Sequence, residues 1–306
     1  MEKYDIVIAL DLCVDFVIDL GKTEPEFGQK EKLVKDYSLE LGGSNTIFAS
    51  QVVKLGLKTA GIGKVGNDLF GKIIIDKLTT AGVITDFIQI DSNIKTGVGV
   101  ALCKINDRAI LTYTGSIDAL GLNDYTAKLI ESTRHIHIGS FYLMKKLQPH
   151  YLHILKKAKK NNVTISLDTN WDPEERWENG IKQILPLVDI LFANENEAIG
   201  LSKMSNMKKA LKNLSDIVPI VVIKKGAKGS IVLYNGKRSV VSALQVDVKD
   251  TVGAGDSFDA GFVYSFLIGY SMQKCQTIAN ICGSLSTTQP GGILGQPDIG
   301  LIKKYL

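Results

Sequence analysis

The chain has 306 residues, of which 45% are hydrophobic and 22% are charged, with a formal net charge of +4. These proportions are those of an ordinary soluble globular protein, built as one large α/β domain or as two smaller ones. The positive charge lies in Lys-Lys pairs spread along the chain rather than in one block, which argues against a nucleic-acid partner.

The cysteine pattern and the hydropathy exclude other protein classes. The cysteines show neither CxxC spacing nor histidine partners in register, so we expect neither a disulfide framework nor a zinc site. No run approaches the roughly 18 apolar residues that a spanning helix needs, and the N-terminus lacks the pattern of a signal peptide. We therefore expect a cytoplasmic protein that has no membrane partner. The cysteines are Cys13, Cys103, Cys275 and Cys282.

The first part of the chain predicts a buried strand with acids at its carboxyl end. Residues 4–10 form an apolar run rich in β-branched residues, and Asp11 and Asp15 follow it. In open α/β sheets, ligands bind at the carboxyl ends of the strands. Gly42 and Gly43 then precede a helix, where paired glycines allow a ligand to approach the backbone closely.

Residues 12–40 and 87–115 differ from the rest of the chain, because short alternating strands replace the alternation of strands with helices. Turn signals at Asp91-Ser92-Asn93 and at Asn106-Asp107 separate the segments that start at Phe87. We expect these two regions to form a small β lid inserted into the topology of a larger sheet.

From about residue 124, strands alternate with helices. This pattern predicts a doubly wound, mostly parallel α/β sheet flanked by helices, and we expect residues 1–306 to form a single domain together with the lid. The predicted strands are 134–139, 163–168, 188–193 and 219–224, with a hairpin at 230–241. The predicted helices are 123–132, 148–161, 178–186, 194–202, 206–215, one that ends near 268, and 271–288.

The segment 250–262 predicts a glycine turn that opens a buried helix. Gly253 and Gly255 allow successive backbone N–H groups to converge, and the helix N-terminus adds unpaired donors that suit a phosphate. Asp256 follows at once, and a carboxylate in an anion pocket is explained if it acts as a general base. From these residues alone, an acid that stabilises its own helix is an equal alternative.

Gly61-x-Gly63-x-x-Gly66 matches the dinucleotide-binding pattern G-x-G-x-x-G after a strand. In that fingerprint the last glycine lies inside the helix. Here Asn67 and Asp68 follow Gly66, so the helix starts later. We therefore do not favour a dehydrogenase.

Three further strand ends carry polar groups. Asn194 and Glu197 could hold Mg²⁺ through water or could cap a helix with the acid at its third position, and the residues alone favour the cap. Asp168-Thr169-Asn170 allows the same two interpretations. The turn from Lys224 to Gly229 could bind a nucleotide phosphate or could simply reverse the chain.

The order of these motifs resembles that of the ribokinase-like (PfkB-type) carbohydrate kinase family over nearly the whole chain. The resemblance rests on Gly42-Gly43 before a helix, GKVGNDLFG at 63–71, Asn194-x-x-Glu197, KKGAKG at 224–229 and DTVGAGDSF at 250–258. It implies ATP-dependent phosphorylation of a sugar hydroxyl.

The resemblance also implies roles for individual residues. Asp256 would be the catalytic base, and the N–H groups of Gly253, Ala254 and Gly255 would form the anion hole for the transferring phosphoryl group. Asn194 and Glu197 would organise Mg²⁺ and the phosphates. The nucleotide would be lined by Lys224, Gly226 and Gly229, and by Asn280 on the adenine side.

On the acceptor side, the resemblance implies that Asp15 grips sugar hydroxyls beside Gly42 and Gly43. Asp250 and the loop 287–292 match the family's site for a monovalent cation, often K⁺. Lid strands in this family often pair between subunits, so a homodimer through the lid is a further hypothesis.

The sequence departs from the ribokinase pattern where the sugar would bind. Cys13 and Ile47 stand where asparagines are expected, and Asn45 lies two residues early. Loss of an asparagine removes a donor and an acceptor, and an unpaired hydroxyl there would cost about 1–3 kcal/mol. Ribose is therefore disfavoured. The acceptor stays open, as do a nucleoside or vitamin kinase and a non-catalytic sugar sensor on the same scaffold.

Overall fold

The computed structural model describes residues 3–104 and 107–306. These residues form one sheet of nine strands and a second sheet of four. The strands are, in chain order, β1 (Tyr4–Ala9), β2 (Cys13–Asp19), β3 (Asp36–Gly42), β4 (Thr59–Gly66), β5 (Ile84–Asp91), β6 (Gly97–Lys104), β7 (Asp107–Tyr113), β8 (Thr133–Ile138), β9 (Thr164–Asp168), β10 (Ile190–Asn194), β11 (Ile220–Lys224), β12 (Ser230–Tyr234) and β13 (Lys237–Val241). The α-helices are α1 (Ser44–Lys54), α2 (Leu69–Ala81), α3 (Ala127–Glu131), α4 (Tyr151–Lys160), α5 (Ile181–Ile184), α6 (Glu195–Ser202), α7 (Met207–Ser215), α8 (Ala254–Ile268), α9 (Met272–Ser286) and α10 (Ile299–Ile302).

The large sheet is mostly parallel. Its strand order is β13-β12-β11-β10-β9-β8-β1-β4-β5. The strands from β11 to β5 run parallel to their neighbours, and the pairs β11–β12 and β12–β13 are antiparallel. The predicted doubly wound, mostly parallel sheet is confirmed.

Helices cover both faces of this sheet. Along β1, Val7 and Ala9 join the hydrophobic core formed with α3 to α7. Ile6 and Ile8 alternate with them and join the core formed with α1, α2, α8, α9 and α10. Because both faces of the strand are buried, its sequence is apolar throughout rather than alternating. The result is three layers with the carboxyl ends of the parallel strands along one edge.

The lid is the small sheet, whose strand order is β3-β2-β6-β7. Its strands come from the predicted regions, with one correction. Residues 87–90 belong to β5, which pairs with β4 at the edge of the large sheet. As an edge strand β5 has partly exposed faces, and so its sequence alternates as a lid strand would. The predicted turn at Asn106-Asp107 includes Asn106, which lies outside the described residues.

Two predicted helices are much shorter than expected, because turns interrupt them. The helix predicted at 123–132 is α3, preceded by a single 3₁₀ turn at Leu122–Asp124. The helix predicted at 178–186 is α5, which begins after Gly180 in a left-handed conformation and passes into a 3₁₀ turn containing Pro186.

The G-x-G-x-x-G pattern lies within β4, which continues to Gly66. Asp68 then caps α2 by accepting a hydrogen bond of 2.9 Å from the N–H of Gly71. The glycines therefore precede the helix rather than open it. Across residues 3–104 and 107–306, no helix combines the length and the apolar character that crossing a membrane requires.

Candidate active site

The predicted site residues gather where the parallel strands end. Asp168 closes β9, Asn194 closes β10 and Lys224 closes β11. Asn194 and Lys224 are register partners on adjacent strands. The start of α8 and the lid complete the surroundings of this edge, which is where open α/β sheets bind their ligands.

The turn before α8 requires glycine at Gly253. This residue has φ 68° and ψ 4°, a left-handed conformation that disfavours other residues. A Cβ atom there would lie 2.8 Å from the Cα of Gly292 and 2.9 Å from Cγ2 of Ile47. Both the conformation and the space therefore exclude a side chain.

The first residues of α8 present backbone donors. Ala254, Gly255 and Asp256 belong to the first helical turn, where N–H groups have no acceptor within the helix. The N–H of Ala254 makes only a long hydrogen bond of 3.4 Å, to the carbonyl of Thr251. This geometry is compatible with an anion hole, and the role of these groups stays a prediction.

Asp256 is partly buried at the start of α8. Burial raises the pKa of its carboxyl group to about 7. The positive charge of Lys224 opposes this shift of the pKa, the carboxylates of Asp168 and Asp11 add to it, and a hydrogen bond from Ser44 opposes it. A carboxyl group with a pKa close to neutrality can accept a proton at neutral pH and release it afterwards, as a general base must.

Asn170, which follows β9, positions the Ser44 hydroxyl near Asp256. Asn170 has a left-handed φ of 55°, and its Nδ2 donates a hydrogen bond of 3.1 Å to the Ser44 hydroxyl. The Oδ1 of Asn170 accepts a hydrogen bond of 2.7 Å from the N–H of Ser140. No sequence pattern pointed to Ser44, and Asn170 kept two interpretations, because the contact joins residues 126 positions apart.

Asp11 is a buried acid behind the glycine pair. Its Oδ1 accepts a hydrogen bond of 3.0 Å from the N–H of Asn45, and its Oδ2 accepts one of 2.5 Å from the Ser140 hydroxyl. Burial raises the pKa of Asp11 to about 6, against the effect of these hydrogen bonds. A Cβ atom at Gly43, which has φ 92°, would lie 2.4 Å from the carbonyl oxygen of Asp11. Gly43 therefore allows α1 to begin directly against Asp11.

Asp15 lies on the lid with its carboxylate over two glycines. A Cβ atom at Gly42 would lie 2.7 Å from this carboxylate, and one at Gly99 would lie 2.2 Å from its Oδ1. Asp15 pairs in register with Glu40 of β3 and with Gly99 of β6. The glycines thus leave the space that the Asp15 carboxylate occupies on the lid face.

The residues that depart from the ribokinase pattern have structural roles here. Asn45 is buried, and its Nδ2 donates a hydrogen bond of 3.1 Å to the carbonyl of Gly139. Ile47 packs against the glycine turn before α8, since its Cγ2 would lie 2.9 Å from a Cβ atom at Gly253. Cys13 is buried in the core with Ile117. These three side chains shape the site mainly by packing.

Asn194 and Glu197 form the capping box that the residues alone favoured. The Oδ1 of Asn194 accepts hydrogen bonds of 2.9 Å from the N–H groups of Asn196 and Glu197. The Oε2 of Glu197 accepts one of 2.7 Å from the N–H of Asn194. Burial raises the pKa of Glu197 to about 7; the charge of Asp168 also raises it, and that of Lys224 lowers it.

The side chains around Glu197 suit a Mg²⁺ ion that keeps most of its waters better than an ion coordinated only by protein ligands. Within the described ranges, no group of three or more His, Cys, Asp or Glu side chains is arranged to hold a metal ion. Glu197 keeps one carboxylate oxygen outside the capping box. Mg²⁺ is commonly held by one or two carboxylates, several waters and substrate phosphates, so this arrangement is compatible with the ion.

A cavity of about 380 Å³ lies beside the start of α8. Ala254 and Gly255 line it, as do the predicted nucleotide residues, which are Lys224, Gly226, Gly229 and Asn280. A more open cavity of about 590 Å³, around Lys64, Asp124 and His150, contains none of the predicted site residues. The smaller cavity therefore brings together the residues predicted to bind the nucleotide, and that role stays a prediction.

Two residues shape the far side of this cavity. Gly229 has φ 86°, and a Cβ atom there would lie 2.0 Å from the carbonyl oxygen of Val241. Asn280 donates hydrogen bonds of 3.0 Å to the Ser230 hydroxyl and 3.3 Å to the carbonyl of Val241. These contacts hold α9 against the hairpin β12–β13 and fix the cavity wall.

Asp250 ties the glycine turn to the loop 287–292. Its Oδ1 accepts a hydrogen bond of 3.0 Å from the N–H of Val252, and its Oδ2 accepts one of 2.9 Å from the N–H of Gly291. The carbonyl of Thr287 accepts hydrogen bonds from the N–H groups of Lys249 and Asp250. The predicted cation residues are thus brought together, while their cation role stays a prediction.

Lys224 lies among buried carboxylates, a relationship that the sequence analysis missed. Its ammonium group contacts the Oδ2 of Asp168 and lies 3.1 Å from the Oδ2 of Asp259. Asp168 is 2% exposed and Asp259 is 0% exposed. The available signal was Asp259 itself, which follows Asp256 by three residues and therefore lies on the same face of α8.

The chain matches the family model described as "pfkB family carbohydrate kinase" over residues 7–299. It is 30% identical to probable fructokinase-5 of Arabidopsis thaliana, with 84% of this chain and 85% of that protein covered. It is 26% identical to the ATP-dependent 6-phosphofructokinase of Thermoanaerobacterium thermosaccharolyticum, with 99% and 94% covered.

The structure is also similar to that of Arabidopsis thaliana ribokinase complexed with ribose and ATP. The TM-score is 0.84 at 24% identity, with 99% of this chain and 98% of that chain covered. This likeness shows a ribokinase-like fold with a large, mostly parallel sheet and a separate small sheet. With the family match over nearly the whole chain, it follows that the protein belongs to the pfkB family and is a carbohydrate kinase.

Proposed function

We propose that the protein transfers the γ-phosphoryl group of MgATP to a hydroxyl of an unphosphorylated sugar, with Asp256 as the general base. The position of Asp256 carries this proposal. It follows directly on Ala254 and Gly255, which line the cavity beside α8. Its pKa is lowered by a hydrogen bond from Ser44, at the start of the helix that follows the Gly42-Gly43 pair. The carboxyl group thus lies between the nucleotide side and the lid side.

The chain's own residues account for the proton and the developing charge. Asp256 accepts the proton of the attacking hydroxyl, and its pKa of about 7 leaves a large fraction ionised at neutral pH. The N–H groups of Gly253, Ala254 and Gly255 donate to the transferring phosphoryl group. Hydrogen-bond donors aimed at charge that develops in the transition state are often the largest single catalytic contribution.

On the nucleotide side, Lys224, Gly226 and Gly229 line the phosphates and Asn280 lies near the adenine. Glu197, with Asn194 fixing its position, holds Mg²⁺ through water. The ion neutralises charge on the phosphates when it is bound. Each of these assignments rests on the cavity wall and on the oxygen that Glu197 keeps outside its capping box.

The charge of the lid favours a neutral acceptor. Asp15 and Glu40 are register partners on β2 and β3, so their side chains leave the same face of the lid. Glu40 reaches the loop 287–292, since a Cβ atom at Gly291 would lie 3.1 Å from its Cδ. Carboxylates bind sugar hydroxyls but repel a phosphate. The two lid carboxylates therefore favour a neutral sugar as acceptor, as the name of the fructokinase relative implies. They disfavour a sugar phosphate, which the name of the 6-phosphofructokinase relative implies.

A panel of acceptors tests this proposal. ATP turnover is measured with ketoses, aldoses, their 6-phosphates and nucleosides, for the wild type and for Asp256→Asn. We expect a neutral sugar to give the highest kcat/KM, and Asp256→Asn to lose at least a hundredfold in kcat while it still binds ATP. A preference for a sugar phosphate or a nucleoside would overturn the acceptor class, and tight sugar binding without any turnover would indicate a sensor.

We also propose that Asp250 and the loop 287–292 bind K⁺. The carboxylate and the loop are already joined through Gly291. We expect kcat to fall severalfold when K⁺ is replaced by tetramethylammonium at constant ionic strength. Equal kcat values in the two salts would contradict the cation site.

The exposed apolar residues of the lid support a homodimer. Tyr37 on β3 and Ile110, Leu111 and Tyr113 on β7 are 54–70% exposed, and both strands are edges of the lid sheet. Unpaired strand edges with apolar side chains favour pairing with a second copy. A monomeric mass in light scattering would contradict this proposal.

A further inference from the structure

Lys224 was expected only to line the nucleotide site, but its side chain lies between two buried acidic residues. Its side chain is 15% exposed, and its ammonium group is bound by Asp168 and by Asp259, whose side chains are 3% and 1% exposed. Burial lowers the pKa of Lys224, but the charges of Asp168, Asp259 and Glu197 together raise it well above its ordinary value. The lysine is therefore a fixed positive charge.

The ammonium group lies against the catalytic turn. A Cβ atom at Gly255 would be 3.2 Å from the Nζ of Lys224. Lys224 and Gly255 both line the nucleotide cavity. The charge is thus held beside the backbone that would receive the transferring phosphoryl group, with its donors already directed to the carboxyl groups of Asp168 and Asp259.

The charged groups around Asp256 come from four elements. Asp11 follows β1, Asp168 ends β9 and Asp259 lies on α8, and all three carry carboxyl groups. Lys224 from β11 supplies the positive charge that lowers the pKa of Asp256 most among the neighbouring groups. It therefore offsets the repulsion that the neighbouring carboxylates exert on the Asp256 carboxylate.

Packing alone does not explain this arrangement. Removing charges from water costs several kcal/mol per ion, and a well-packed apolar side chain often stabilises a core as well as or better than a buried ion pair. Buried charges that perturb their neighbours cluster at functional sites. The cost is explained if the charge has a role in the reaction.

We propose that Lys224 is a positioning residue for phosphoryl transfer: anchored by Asp168 and Asp259, its ammonium group holds the Gly253–Gly255 turn in place and stabilises the Asp256 carboxylate. This inference rests on the proposed role of Asp256. It differs from a role in binding the nucleotide, because it acts on the transfer step rather than on the affinity for ATP.

The test distinguishes the charge of Lys224 from its hydrogen bonds, and an effect on phosphoryl transfer from an effect on substrate binding. Lys224→Gln keeps donors for Asp168 but removes the charge, whereas Lys224→Arg keeps the charge. We expect Lys224→Gln to lower kcat about a hundredfold while the KM values for ATP and for the acceptor stay within about threefold. Lys224→Arg should recover at least tenfold of the lost kcat.

A matched control is Lys159→Met. Lys159 on α4 also pairs with a carboxylate, with its Nζ 2.7 and 2.8 Å from the two oxygens of Asp189. Asp189 precedes β10, at the opposite end of that strand from Asn194 and the candidate site. We expect this variant to lower the melting temperature and to leave kcat unchanged. With this result, a loss of stability alone would not explain a lower kcat in Lys224→Gln.

Several results would overturn the proposal. These are a kcat of Lys224→Gln within threefold of the wild type, a rise in the KM for ATP with kcat unchanged, or no recovery in Lys224→Arg. If Lys224→Gln does not fold, Asp259→Leu is measured instead, because it removes one of the two groups that anchor Lys224 and leaves the lysine in place. An unchanged kcat in Asp259→Leu would contradict the inference. Absence of turnover in the wild type with every acceptor would instead refute the proposed function.

Discussion

The side-chain amide of Asn170 donates a hydrogen bond of 3.1 Å to the hydroxyl of Ser44. Because this hydroxyl accepts from Asn170, its own proton is available to Asp256, whose pKa the Ser44 hydroxyl lowers. The contact joins the end of β9 to the first residue of α1 and, through it, to the first turn of α8. Three elements that are distant in sequence thus fix the carboxyl group of the proposed base.

The first prediction concerns Ser44→Ala. The hydrogen bond from Ser44 lowers the pKa of Asp256, so its loss raises that pKa further. We expect the acid limb of the kcat/KM profile to move to higher pH by about 0.5–1 unit. Activity should fall severalfold at pH 7 and approach that of the wild type at about pH 9, where Asp256 is mostly ionised in both proteins.

Ser50→Ala is the matched control. Ser50 lies on the same helix, and its hydroxyl donates to the carbonyl of Thr46 at 3.0 Å. Its loss removes a buried hydroxyl of the same type without touching Asp256. A pH profile that shifts equally in both variants would contradict the assigned contact.

The second prediction concerns the stability of Asp256→Asn. The folded-state pKa of Asp256 is about 7, against an ordinary value of 3.8, so the folded protein binds this proton more tightly than the unfolded chain does. The stability contributed by this group is therefore present at low pH, falls between about pH 4 and pH 7, and is constant above. Asparagine has no such titration.

We therefore expect Asp256→Asn to unfold at a higher temperature than the wild type at pH 8, by about 2 °C or more, and at a more similar temperature at pH 5. Thermal unfolding of both proteins across this range measures the difference, in which titrating groups that do not interact with Asp256 cancel. A difference that is largest at pH 5 would show that the carboxyl group is not destabilised by burial.

The large sheet could be predicted because its signals are local. A run such as Tyr4–Ala9 is apolar and β-branched over its whole length, and strand follows helix with little interruption from residue 133. The assignment of β5 was wrong for a physical reason. Pairing partners are not encoded within a strand, and an edge strand with one exposed face has the same alternation as a lid strand.

The site was predictable in its placement more than in its contacts. Strand ends and glycine turns mark the edge where ligands bind, and the motif 250–258 located Asp256 within it. The contacts of Lys224 with Asp168 and Asp259 join residues 56 and 35 positions apart. No local pattern specifies such pairs, because they depend on strand order and on the depth of α8 in the core.

The third prediction concerns the backbone of the glycine turn. Gly253 has φ 68° and its missing Cβ would meet Gly292 and Ile47, whereas Gly269 has φ 85° with nothing within 4 Å. An alanine at either position adopts a left-handed conformation that costs roughly 1–2 kcal/mol. Gly253→Ala must also move the backbone N–H groups that are proposed to form the anion hole.

We expect both variants to lose stability and only Gly253→Ala to lose kcat, by at least tenfold, since a single displaced oxyanion donor commonly costs about a hundredfold or more. The comparison needs thermal unfolding and steady-state kinetics on the same preparations. Equal kcat losses in the two variants would mean that strain in α8, rather than the position of the donors, limits the reaction.

The last prediction concerns the protonation state of Asp259. Burial raises the pKa of this carboxyl well above its ordinary value; the charge of Lys224 opposes the shift, and the charge of Asp168 adds to it. We therefore predict that Asp259 is protonated at neutral pH, so that it accepts a hydrogen bond from Lys224 and has a proton to donate to a neighbouring carboxylate. An asparagine can do both, since its amide group donates and its carbonyl oxygen accepts.

We expect Asp259→Asn to keep kcat within about threefold of the wild type between pH 6 and pH 9, and to unfold at a similar temperature. Asp259→Leu has a similar volume but can neither donate nor accept, and we expect it to lose both kcat and stability. If Asp259 were ionised, Asp259→Asn would leave Lys224 with one anion in place of two, and its kcat would fall toward that of Asp259→Leu. The ratio of the kcat values of Asp259→Asn and Asp259→Leu therefore shows whether Asp259 anchors Lys224 as a neutral acid or as a carboxylate.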